Sequence, residues 1–472
     1  MHVRDQLYID GKWVDTTRKG SIDVINPATE EIIGKVPVGS SEDVDKAVAA
    51  ARSAFETWSK SDISQRIDVI NALSNAFKER GEELAQTITA EVGTPIGYSR
   101  VAMVGTPRVV SRSYAKILES FSWEEEVRNS LICKEPVGVC AFITPWNFPL
   151  HQIIGKVAPA IAAGCTMILK PSKEAPLSAF ILADILDEIG LPAGVFNLVS
   201  GHGSEIGNYM SSHPDVDMVS FTGSTGAGVS VSQSAAPTIK RVTLELGGKS
   251  ANVALDDSDP ILVAKKAIGA CHQNSGQTCS ALTRLIIPEE MNEQICEIIA
   301  AKNDSYLVGN PLDETTRCGP MVSSRQQSSV TEYIQSGINE GATLISGGLG
   351  VPDGVDKGFY VKPTIFANVT PNMRIWKEEI FGPVLVITTY KNESEALSLA
   401  NDSIYGLSGG VWSASNERAI EFAKKMRTGQ VSINGGAFNV SAPFGGYKLS
   451  GNGRELGTHG LDEFLEIKSI QM

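Results

Sequence analysis

Apolar and polar residues near the N-terminus recur with the spacing of amphipathic helices. Apolar side chains stand at positions 44, 47, 48, 51, 55 and 58, and this three- and four-residue spacing places them on one helix face. Ser40 and Asp43 have the spacing of a capping box at the start of this pattern. The pattern therefore predicts a helix over 42–58, and a similar one predicts helical structure from 64 to about 90.

The middle third of the chain alternates short apolar runs with helix-like segments. The apolar runs begin near Val139, Thr166, Val195 and Val216. Helix-like segments lie between them at 150–163, 178–189 and 204–210. Strand, helix and strand in this order predict βαβ units, and therefore a parallel sheet covered on both faces. Ligands of such sheets bind at the carboxyl ends of the strands.

A second α/β series follows Gly248. Its strand candidates are 250–254, 284–287, 342–346, 384–390 and 430–434, and its helix candidates lie near 260–272, 326–340 and 415–427. The pair Gly247–Gly248 is a plausible hinge between the two series. The pattern thus predicts two α/β units in one chain.

Two segments fit neither unit. Ser120–Cys133 alternates like a solvated β-hairpin, and Glu463–Met472 has the pattern of a lone C-terminal strand. Because an unpaired strand needs a partner edge, we expect another subunit to supply it. The sequence therefore predicts a homo-oligomer, either a dimer or a tetramer.

Composition and charge exclude several classes of protein. The chain has 472 residues, 42% hydrophobic and 20% charged, with a net charge of −13. This composition excludes wholesale disorder, and an acidic chain without a basic run is a poor ligand for nucleic acid or an anionic membrane. The longest apolar stretch, Val157–Leu169, is too short to span a bilayer, and no signal peptide is evident. Seven sparse cysteines favour free thiols, and therefore a cytoplasmic enzyme.

Cys279 is the cysteine with the most suggestive surroundings. Its neighbours Gly276, Thr278 and Ser280 are small, and Gly276 permits an unusual backbone turn. A thiol is mostly protonated at neutral pH unless a helix start or a group of N–H donors lowers its pKa. Cys279 is therefore either a nucleophile or a small buried apolar residue. The chain has no CxxC or HExxH motif, so no metal site is predicted.

A carboxylate and two glycine-rich turns add to the candidate chemistry. Glu245 stands between two leucines before Gly247, where desolvation would raise its pKa and suit a general base. A surface carboxylate at a strand end is the alternative. The turns Gly201–Gly207 and Phe221–Gly228 each follow a predicted strand. They lack the spacing of the dinucleotide fingerprint, but two such turns on successive strands make a dinucleotide site credible.

These pieces resemble the aldehyde dehydrogenase superfamily over essentially the whole chain. Seven motifs stand in family order: Ile143–Pro149 (ITPWNFP), Lys170–Ser172 (KPS), Phe221–Gly226 (FTGSTG), Leu244–Lys249 (LELGGK), Gly276–Cys279 (GQTC), Glu379–Pro383 (EIFGP) and Pro443–Glu455 (PFGGYKLSGNGRE). The resemblance implies two Rossmann-like parallel-sheet domains and a small β oligomerisation arm. The implied boundaries are 1–114 with 138–247 for the dinucleotide-binding domain, 248–441 for the catalytic domain, and 115–137 with 455–472 for the arm.

The resemblance also implies roles for five catalytic residues. Cys279 would attack the aldehyde carbonyl, and the Asn147 amide with the Cys279 backbone N–H would stabilise the oxyanion. Glu245 would activate the water that releases the carboxylic acid. Lys156 and Glu455 resemble a pair that relays protons from this base, with a structural ion pair as the alternative.

The cofactor implied by the resemblance is NAD or NADP. The residues expected to contact it are Ile143, Thr144, Pro145, Trp146, Lys170, Ser172, Lys173, Gly203, Phe221, Thr222, Gly223, Ser224, Leu246, Gly247, Glu379 and Phe381. Lys173 occupies a position where NAD-preferring members often carry a glutamate, and lysine would attract a 2′-phosphate. We therefore expect acceptance of NADP, unless Lys173 points into solvent and Glu174 holds the ribose instead.

The aldehyde itself is less well defined by the sequence. The expected substrate-lining residues are Phe148, His151, Gln152, Thr278, Ser280, Phe438 and Phe444. Polar His151 and Gln152, with room at Gly155, suggest a bulky aldehyde or one that bears a polar group. No arginine beside Cys279 clearly suits a second carboxylate, since Arg284 is five residues away. Two alternatives stay open, namely a coenzyme A-acylating semialdehyde dehydrogenase and a catalytically silent binding protein.

Overall fold

The computed structural model describes residues 2–472 as an α/β protein with two large sheets and a small arm. The α-helices are Ser41–Trp58, Ile63–Glu79, Gly81–Val92, Ile96–Tyr98, Thr106–Leu118, Pro149–Ala163, Leu177–Glu188, Asn208–Ser212, Thr225–Ala235, Pro260–His272, Asn292–Asp304, Ser324–Asn339, Arg374–Lys377, Glu393–Asn401, Asn416–Ala423 and Gly457–Asp462. Ser99–Gly105 and Gly203–Gly207 are π-helical, and Ala236–Thr238, Gln273–Gly276 and Glu289–Met291 are 3₁₀ turns.

The first large sheet has eight strands. In spatial order they are Gly451–Asn452, Arg241–Glu245, Met218–Thr222, Val139–Ile143, Thr166–Lys170, Phe196–Leu198, Gln6–Ile9 and Lys12–Asp15. The five strands in the middle of this order are parallel, and the flanking pairings are antiparallel. The parallel strands are apolar and buried throughout their centre because helices cover both faces.

The second large sheet has seven strands. In spatial order they are Thr343–Ser346, Thr364–Ala367, Val384–Tyr390, Arg284–Pro288, Ala251–Ala254, Ser408–Trp412 and Gln430–Ile433. All neighbouring pairs are parallel except the first, which is antiparallel. The prediction of an α/β fold with two parallel-sheet units is therefore confirmed.

The two segments outside these units form one small antiparallel sheet. Glu124–Val127 pairs with Ser130–Pro136, which confirms the hairpin. Leu465–Gln471 pairs along its whole length with Ser130–Pro136 of the same chain. The expectation that another subunit must supply the first partner edge of the C-terminal strand is therefore wrong. The chain's own hairpin lies beside this strand, although more than three hundred residues separate the two in sequence.

Two smaller sheets complete the strands. Glu31–Pro37 lies between His2–Val3 and Ser21–Asn26, and Tyr405–Gly406 pairs with Tyr447–Lys448. No helix within residues 2–472 is both long and apolar enough to cross a membrane. All seven cysteines are free thiols.

Most predicted elements are confirmed with small shifts at their ends. The first helix begins at Ser41, and Ser40 with Asp43 forms the expected capping box. The helical pattern beyond residue 64 contains two helices that meet at Arg80, because Gly81 interrupts the first of them. The segment 204–210 is part π-helix and part α-helix, and the helix predicted over 415–427 ends at Ala423.

Several elements escape the sequence pattern, among them the strand Thr364–Ala367 and the helices Thr106–Leu118, Asn292–Asp304 and Glu393–Asn401. Gly409 and Gly410 give the strand Ser408–Trp412 a poor strand propensity, yet it lies inside the sheet between two partners. Tertiary pairing outweighs local preference at that position.

Candidate active site

A cleft of about 230 Å³ lies between the two large sheets. Strands of the first sheet end at its wall, since Thr222 and Glu245 are the last residues of their strands. The complete lining is Pro145, Trp146, Asn147, Thr222, Gly223, Ser224, Glu245, Leu246, Gly247, Cys279, Gln326, Glu379 and Phe381. The cleft therefore follows the rule that ligands bind at the carboxyl ends of parallel strands.

The loop that carries Cys279 has an unusual backbone. Asn274, Ser275 and Gly276 adopt positive φ angles of 50°, 57° and 74° in succession. A Cβ added at Gly276 would lie 2.1 Å from the carbonyl oxygen of Gly382. Both the positive φ and this close approach favour glycine at position 276 over any residue with a side chain. The predicted unusual turn is therefore confirmed. Strained backbone of this kind persists where the surroundings hold it firmly.

Buried amide side chains hold this loop against Asn147. The Asn274 amide donates to the Asn147 carbonyl at 2.9 Å, and Thr94 donates to Asn274 Oδ1 at 2.7 Å. The Asn147 amide in turn donates to the Gln277 carbonyl at 3.1 Å. An amide nitrogen has two hydrogens, so Asn147 keeps a second donor on the wall that it shares with Cys279.

The Cys279 thiol is partly exposed and lies among acidic groups. Burial raises its pKa well above the usual range, and Glu379 and Glu245 raise the pKa further. The Ser280 backbone N–H lowers the pKa, but by less. The thiol is therefore protonated in the ligand-free protein, and the loop alone does not supply the N–H environment that would lower the pKa of Cys279.

Glu245 is a buried carboxylate without a partner. Neither of its oxygens accepts a hydrogen bond within residues 2–472. Its side chain faces the C-terminal segment, because a Cβ added at Gly445 would lie 2.7 Å from Glu245 Oε1. Burial raises the pKa of Glu245 well above its usual value, and Glu455 raises it further. The prediction of a raised pKa is therefore confirmed.

Lys156 connects this region to the C-terminal segment. Its ammonium is fully buried, forms an ion pair with Glu455 and donates to Thr222 Oγ1 at 2.8 Å. Thr222, which accepts from Lys156, is paired in register with Glu245 on the neighbouring strand, so the two ionisable groups are close. The structure thus brings all three ionisable groups of the expected relay together.

Glu379 is the second carboxylate of the cleft, and it is half-buried. Glu379 Oε1 accepts the Gly248 backbone N–H at 2.9 Å. Burial raises the pKa of Glu379 to about 7, while this hydrogen bond and Lys249 lower it. The carboxylate is therefore fixed at the crossing from the first sheet to the second.

The rest of the cleft suits a dinucleotide. Trp146 and Phe381 meet edge to face with centroids 5.4 Å apart. The helix Thr225–Ala235 begins at the cleft with Ser224 as its N-cap, and such N-termini bind phosphate. A Cβ added at Gly226 would meet nothing within 4 Å, so the first turn of this helix leaves room for a ligand.

Other expected cofactor residues lie around the cleft rather than in its wall. These are Ile143, Thr144, Lys170, Ser172, Lys173, Gly203 and Phe221. Lys170 is buried, its pKa falls to about 8 through burial, and its amine donates only to the Pro171 carbonyl within the described residues. Thr144 Oγ1 is buried without a partner in that same part of the chain. The unpaired Thr144 hydroxyl and the remaining N–H groups of Lys170, at the ends of neighbouring strands, fit a hydroxyl-rich ligand.

A second and larger groove opens on the other side of the nucleophile loop. It has a volume of about 670 Å³, and Ser280, Gln273 and Phe438 line it. Aromatic rings connect it to Asn147: Phe148 contacts His151, and His151 contacts Phe438, each with centroids 6.4 Å apart. This side therefore suits the aldehyde, while the cleft suits the cofactor.

Some expected substrate residues serve other purposes. Thr278 turns its hydroxyl to the Gln273 carbonyl at 3.2 Å and lines neither space. Gln152 is buried at 6% exposure and also lines neither. The expected room at Gly155 is wrong as substrate space, because a Cβ there would lie 3.1 Å from Glu455 Oε2. Gly155 instead admits the carboxylate that pairs with Lys156.

Three residues of the site, Tyr98, Gln273 and Gln326, escaped the sequence analysis. Tyr98 packs on Phe148 at 6.3 Å and donates to Gln273 Oε1 at 3.3 Å. Gln326 lines the cleft and donates to the Phe381 carbonyl at 2.9 Å. None of them stands in a motif. Only the position of Gln273, six residues before Cys279, was a usable signal.

Comparison with known proteins agrees with this geometry. The aldehyde dehydrogenase family model matches residues 13–470. The chain belongs to the aldehyde dehydrogenase family. It is therefore an NAD(P)-dependent oxidoreductase that oxidises aldehydes to carboxylic acids.

Individual relatives match the chain from end to end. The 3-succinoylsemialdehyde-pyridine dehydrogenase of a Pseudomonas species is 48% identical over 468 residues, which is 98% of each chain. The solved structure of aldehyde dehydrogenase C of Pseudomonas syringae, a cysteine-to-alanine mutant with NAD⁺ and octanal, has a TM-score of 0.98 at 47% identity. That match covers 99% of this chain and 96% of the other.

A third relative was solved with the cofactor alone. The aldehyde dehydrogenase of Mycobacterium tuberculosis in complex with NAD⁺ has a TM-score of 0.97 at 40% identity. The match covers 100% of this chain and 98% of that one. The two-sheet arrangement of this chain is therefore that of solved family members.

Proposed function

We propose that Cys279 is the nucleophile of this dehydrogenase and that Asn147 stabilises the oxyanion. The observation that carries this proposal is that the thiol, the Asn147 amide and Glu245 line one cleft. Because Cys279 is partly exposed, its thiol proton passes to solvent as the sulfur forms a bond to the aldehyde carbon, and the carbonyl oxygen takes the negative charge. The carbon must become tetrahedral before it readily loses a hydride equivalent, so a covalent adduct favours the oxidation. When bound, a nicotinamide cofactor accepts that hydride equivalent.

Glu245 then acts on the thioester that the oxidation leaves on Cys279. The carboxylate takes a proton from water, the water oxygen bonds to the acyl carbon, and the carbon–sulfur bond breaks to release the carboxylic acid. A buried base with a raised pKa is suited to this step. The presence of Glu245 supports water, rather than coenzyme A, as the acyl acceptor. Lys156 and Glu455 pass the proton from Glu245 toward the C-terminal segment.

Reduced-nicotinamide absorbance tests the nucleophile. Wild-type protein should reduce the cofactor when an aldehyde is added, and Cys279→Ser should lose nearly all of this activity. Cys318→Ser, which changes a buried cysteine outside both cavities, is the control. Unchanged aldehyde-dependent reduction in the Cys279→Ser variant would overturn the mechanism.

We also propose that the enzyme accepts NADP as well as NAD. Lys173 is half exposed, and its ammonium lies 3.4 Å from Glu174 Oε1. A 2′-phosphate would compete with Glu174 for this ammonium, while a ribose hydroxyl would suit Glu174. The ratio of kcat/KM for the two cofactors should shift toward NAD in Lys173→Glu. A ratio that this substitution leaves unchanged contradicts the proposal.

We propose that the aldehyde is bulky or carries a polar group. The groove is large, Gln273 and Phe438 line it, and polar His151 contacts Phe438. The Pseudomonas relatives support this size, since one is named for a pyridine-bearing semialdehyde and another was solved with octanal. An activity screen with alkyl, aryl and semialdehyde compounds tests the proposal.

The domain boundaries and the oligomer remain proposals as well. We propose 1–114 with 138–247 as the dinucleotide-binding domain, 248–441 as the catalytic domain, and 115–137 with 455–472 as the arm. Gly451–Asn452 is added to the first domain because it joins that sheet.

The outer edge of Leu465–Gln471 is unpaired within residues 2–472, and Ile467 on this strand is 71% exposed. The edge strand Gln430–Ile433 is also open. Open edges favour pairing between copies, and sedimentation would show a dimer or tetramer.

A cytoplasmic location is proposed for the same protein. All seven cysteines are reduced thiols, and four of them lie on strands or helices of the two large units or the arm. Such thiols persist in a reducing compartment. Localisation of a tagged full-length chain tests this, and a secreted product would contradict it.

A further inference from the structure

The groove beside Cys279 contains hydrogen-bonding groups that the proposed catalytic steps do not use. Gln273 lies in its wall, and the Gln273 Oε1 atom already accepts the Tyr98 hydroxyl at 3.3 Å. The Gln273 amide nitrogen makes no hydrogen bond within residues 2–472. Two N–H donors are thus available toward the groove, six residues before the nucleophile.

His151 adds a second polar group beside the groove, where its ring contacts Phe438 of the groove wall. Its Nδ1 is buried and has no partner in the part of the chain that the structure describes. Its ring stands between Phe148 and Phe438. Burial lowers the pKa of His151 to about 4, so the imidazole is neutral at physiological pH. A neutral imidazole offers one donor and one acceptor.

The full charges around this groove are paired or exposed: Glu455, which acts on His151, forms an ion pair with Lys156. Arg284, the arginine nearest to the nucleophile in sequence, is buried and spends its donors on four backbone carbonyls, among them those of Lys249 and Asp402. Lys265 and Lys266 line only an exposed part of the groove on the helix Pro260–His272. Burial raises the pKa of Tyr98 to about 12, so its hydroxyl is neutral too.

We propose that Gln273 and His151 form a recognition subsite for an uncharged aldehyde whose tail carries an aromatic ring and a hydrogen-bond acceptor, such as an aryl ketone. The aromatic rings of Phe148 and Phe438 cover the flat part of such a tail, and the Gln273 amide donates to its carbonyl oxygen. This inference rests on the proposed function, because it concerns the aldehyde that Cys279 attacks. The buried His151 Nδ1, which has no partner in the described chain, makes the choice sharper, since a tail that lacks the acceptor leaves it unpaired.

A matched pair of aldehydes tests the subsite. 4-Oxo-4-phenylbutanal and 4-phenylbutanal differ only in the ketone, and kcat/KM should favour the ketone by about three- to tenfold, the range of one net hydrogen bond. Succinic semialdehyde and betaine aldehyde add a carboxylate and a quaternary ammonium, and both should be poorer substrates. Equal values for the matched pair, or a preference for either charged aldehyde, would overturn the proposal.

Variants separate recognition from a structural effect. Gln273→Met keeps the volume but removes the donors, so it should lower kcat/KM for the ketone at least three times more than for 4-phenylbutanal. His151→Leu should act in the same direction. Gln335→Met, on an exposed part of the helix Ser324–Asn339, is the matched control. Because misfolded protein cancels in the ratio of two substrates, a partly unstable variant still gives an answer.

The outcomes also distinguish failure of the proposed function from failure of the subsite alone. If no aldehyde is oxidised, the proposed function fails and the subsite fails with it. If both phenyl aldehydes are oxidised but Gln273→Met lowers both values equally, Gln273 only supports the loop, and the subsite proposal alone is wrong.

Discussion

The two spaces on either side of the Cys279 loop are built on different principles. The cofactor cleft is lined by short contiguous motifs at strand ends, and it contains the buried Glu245 and the half-buried Glu379. The substrate groove is lined by neutral side chains from distant segments, such as Phe438 and Gln273, and its charged lining residues, Lys265 and Lys266, are exposed. We infer that the cleft sets the rate for every aldehyde and that the groove sets the choice among aldehydes.

Within the cleft, the two carboxylates sharpen this contrast. Glu379 is held by the Gly248 N–H, whereas Glu245 has no partner in the described chain. A hydrogen-bonded carboxylate is suited to hold a ligand in place. A buried carboxylate without a partner is suited to accept a proton, because protonation removes the cost of its unpaired charge.

Glu245→Gln is expected to have the largest effect. Loss of a general base lowers kcat by about 10²- to 10⁴-fold, and the loss should be similar for aryl and alkyl aldehydes. Because cofactor reduction precedes thioester hydrolysis, a burst of about one equivalent of reduced cofactor should remain. Stopped-flow absorbance measures both phases, with Glu378→Gln on the exposed side of the same segment as control.

The pH profile gives an independent check on the same residue. The pKa of Glu245 lies above its usual value, so the base is protonated and inactive at low pH. Thioester hydrolysis should therefore accelerate as pH rises through that raised pKa. A profile that already reaches its plateau near pH 5, or one that Glu245→Gln leaves intact, would contradict the role.

Gly276→Ala tests the loop that separates the two spaces. The position has a φ of 74°, and the added Cβ would meet backbone atoms of Gly382 at 2.1 Å. Backbone strain and overpacking each cost about 1–3 kcal/mol, so we expect a loss of roughly 3 kcal/mol of unfolding free energy. Activity toward all aldehydes should fall together.

Gly269→Ala is the matched control for this loss. Gly269 lies within the helix Pro260–His272, and a Cβ there would meet nothing within 4 Å. This substitution should stabilise the protein by about 0.5–1 kcal/mol. Denaturant titration of both variants measures the difference, and equal midpoints would show that the Cys279 loop is not under the strain its geometry indicates.

The contrast between the two spaces also explains which residues of the site could be predicted from the sequence. Cys279, Glu245 and Asn147 stand in contiguous motifs, so their convergence on one cleft was predictable from strand order and family resemblance. Tyr98 and Gln326 have no motif, and they reach the site only because distant helices pack beside it. The pairing of Leu465–Gln471 with its own chain depends on a contact across the whole sequence, which local pattern does not report.

The function of small residues was equally hard to read. Gly155 suggested space for substrate, yet the structure fills that space with Glu455. Gly410 lies inside the second sheet, where a Cβ would come within 2.8 Å of Asn252 Oδ1. In each case, a small side chain is explained by the neighbour that approaches it, and sequence alone does not name that neighbour.

Glu379→Gln is expected to have a moderate effect that is confined to the cofactor. The pKa of Glu379 is raised to about 7, so the carboxylate gains its charge as pH rises through neutrality. An ionised acceptor should bind ribose hydroxyls and a cationic cofactor better. The KM for NAD⁺ should therefore fall with rising pH in the wild type, and in Glu379→Gln it should be about tenfold higher and independent of pH.

The aldehyde provides the control for this variant. Glu379 lines the cleft and not the groove, so the relative KM values of aryl and alkyl aldehydes should stay as in the wild type. A change in aldehyde preference would show that the two spaces are not independent. Steady-state kinetics at several pH values, with each substrate varied in turn, measures both quantities.

Phe438→Ala is expected to have the smallest effect, and it tests the groove side of the comparison. Phe438 is 51% exposed and meets His151 and Phe444 edge to face with centroids 6.4 and 6.1 Å away. An aromatic contact contributes about 0.5–1.5 kcal/mol, and half exposure places this one at the low end. The KM for an aryl aldehyde should therefore rise about threefold, while the KM values for hexanal and NAD⁺ stay close to those of the wild type. Phe438→Leu should recover part of the loss, because it restores apolar area without the ring. If instead Phe438→Ala lowers kcat equally for hexanal and the aryl aldehyde, the groove takes part in catalysis itself, and the separation of rate from choice is wrong.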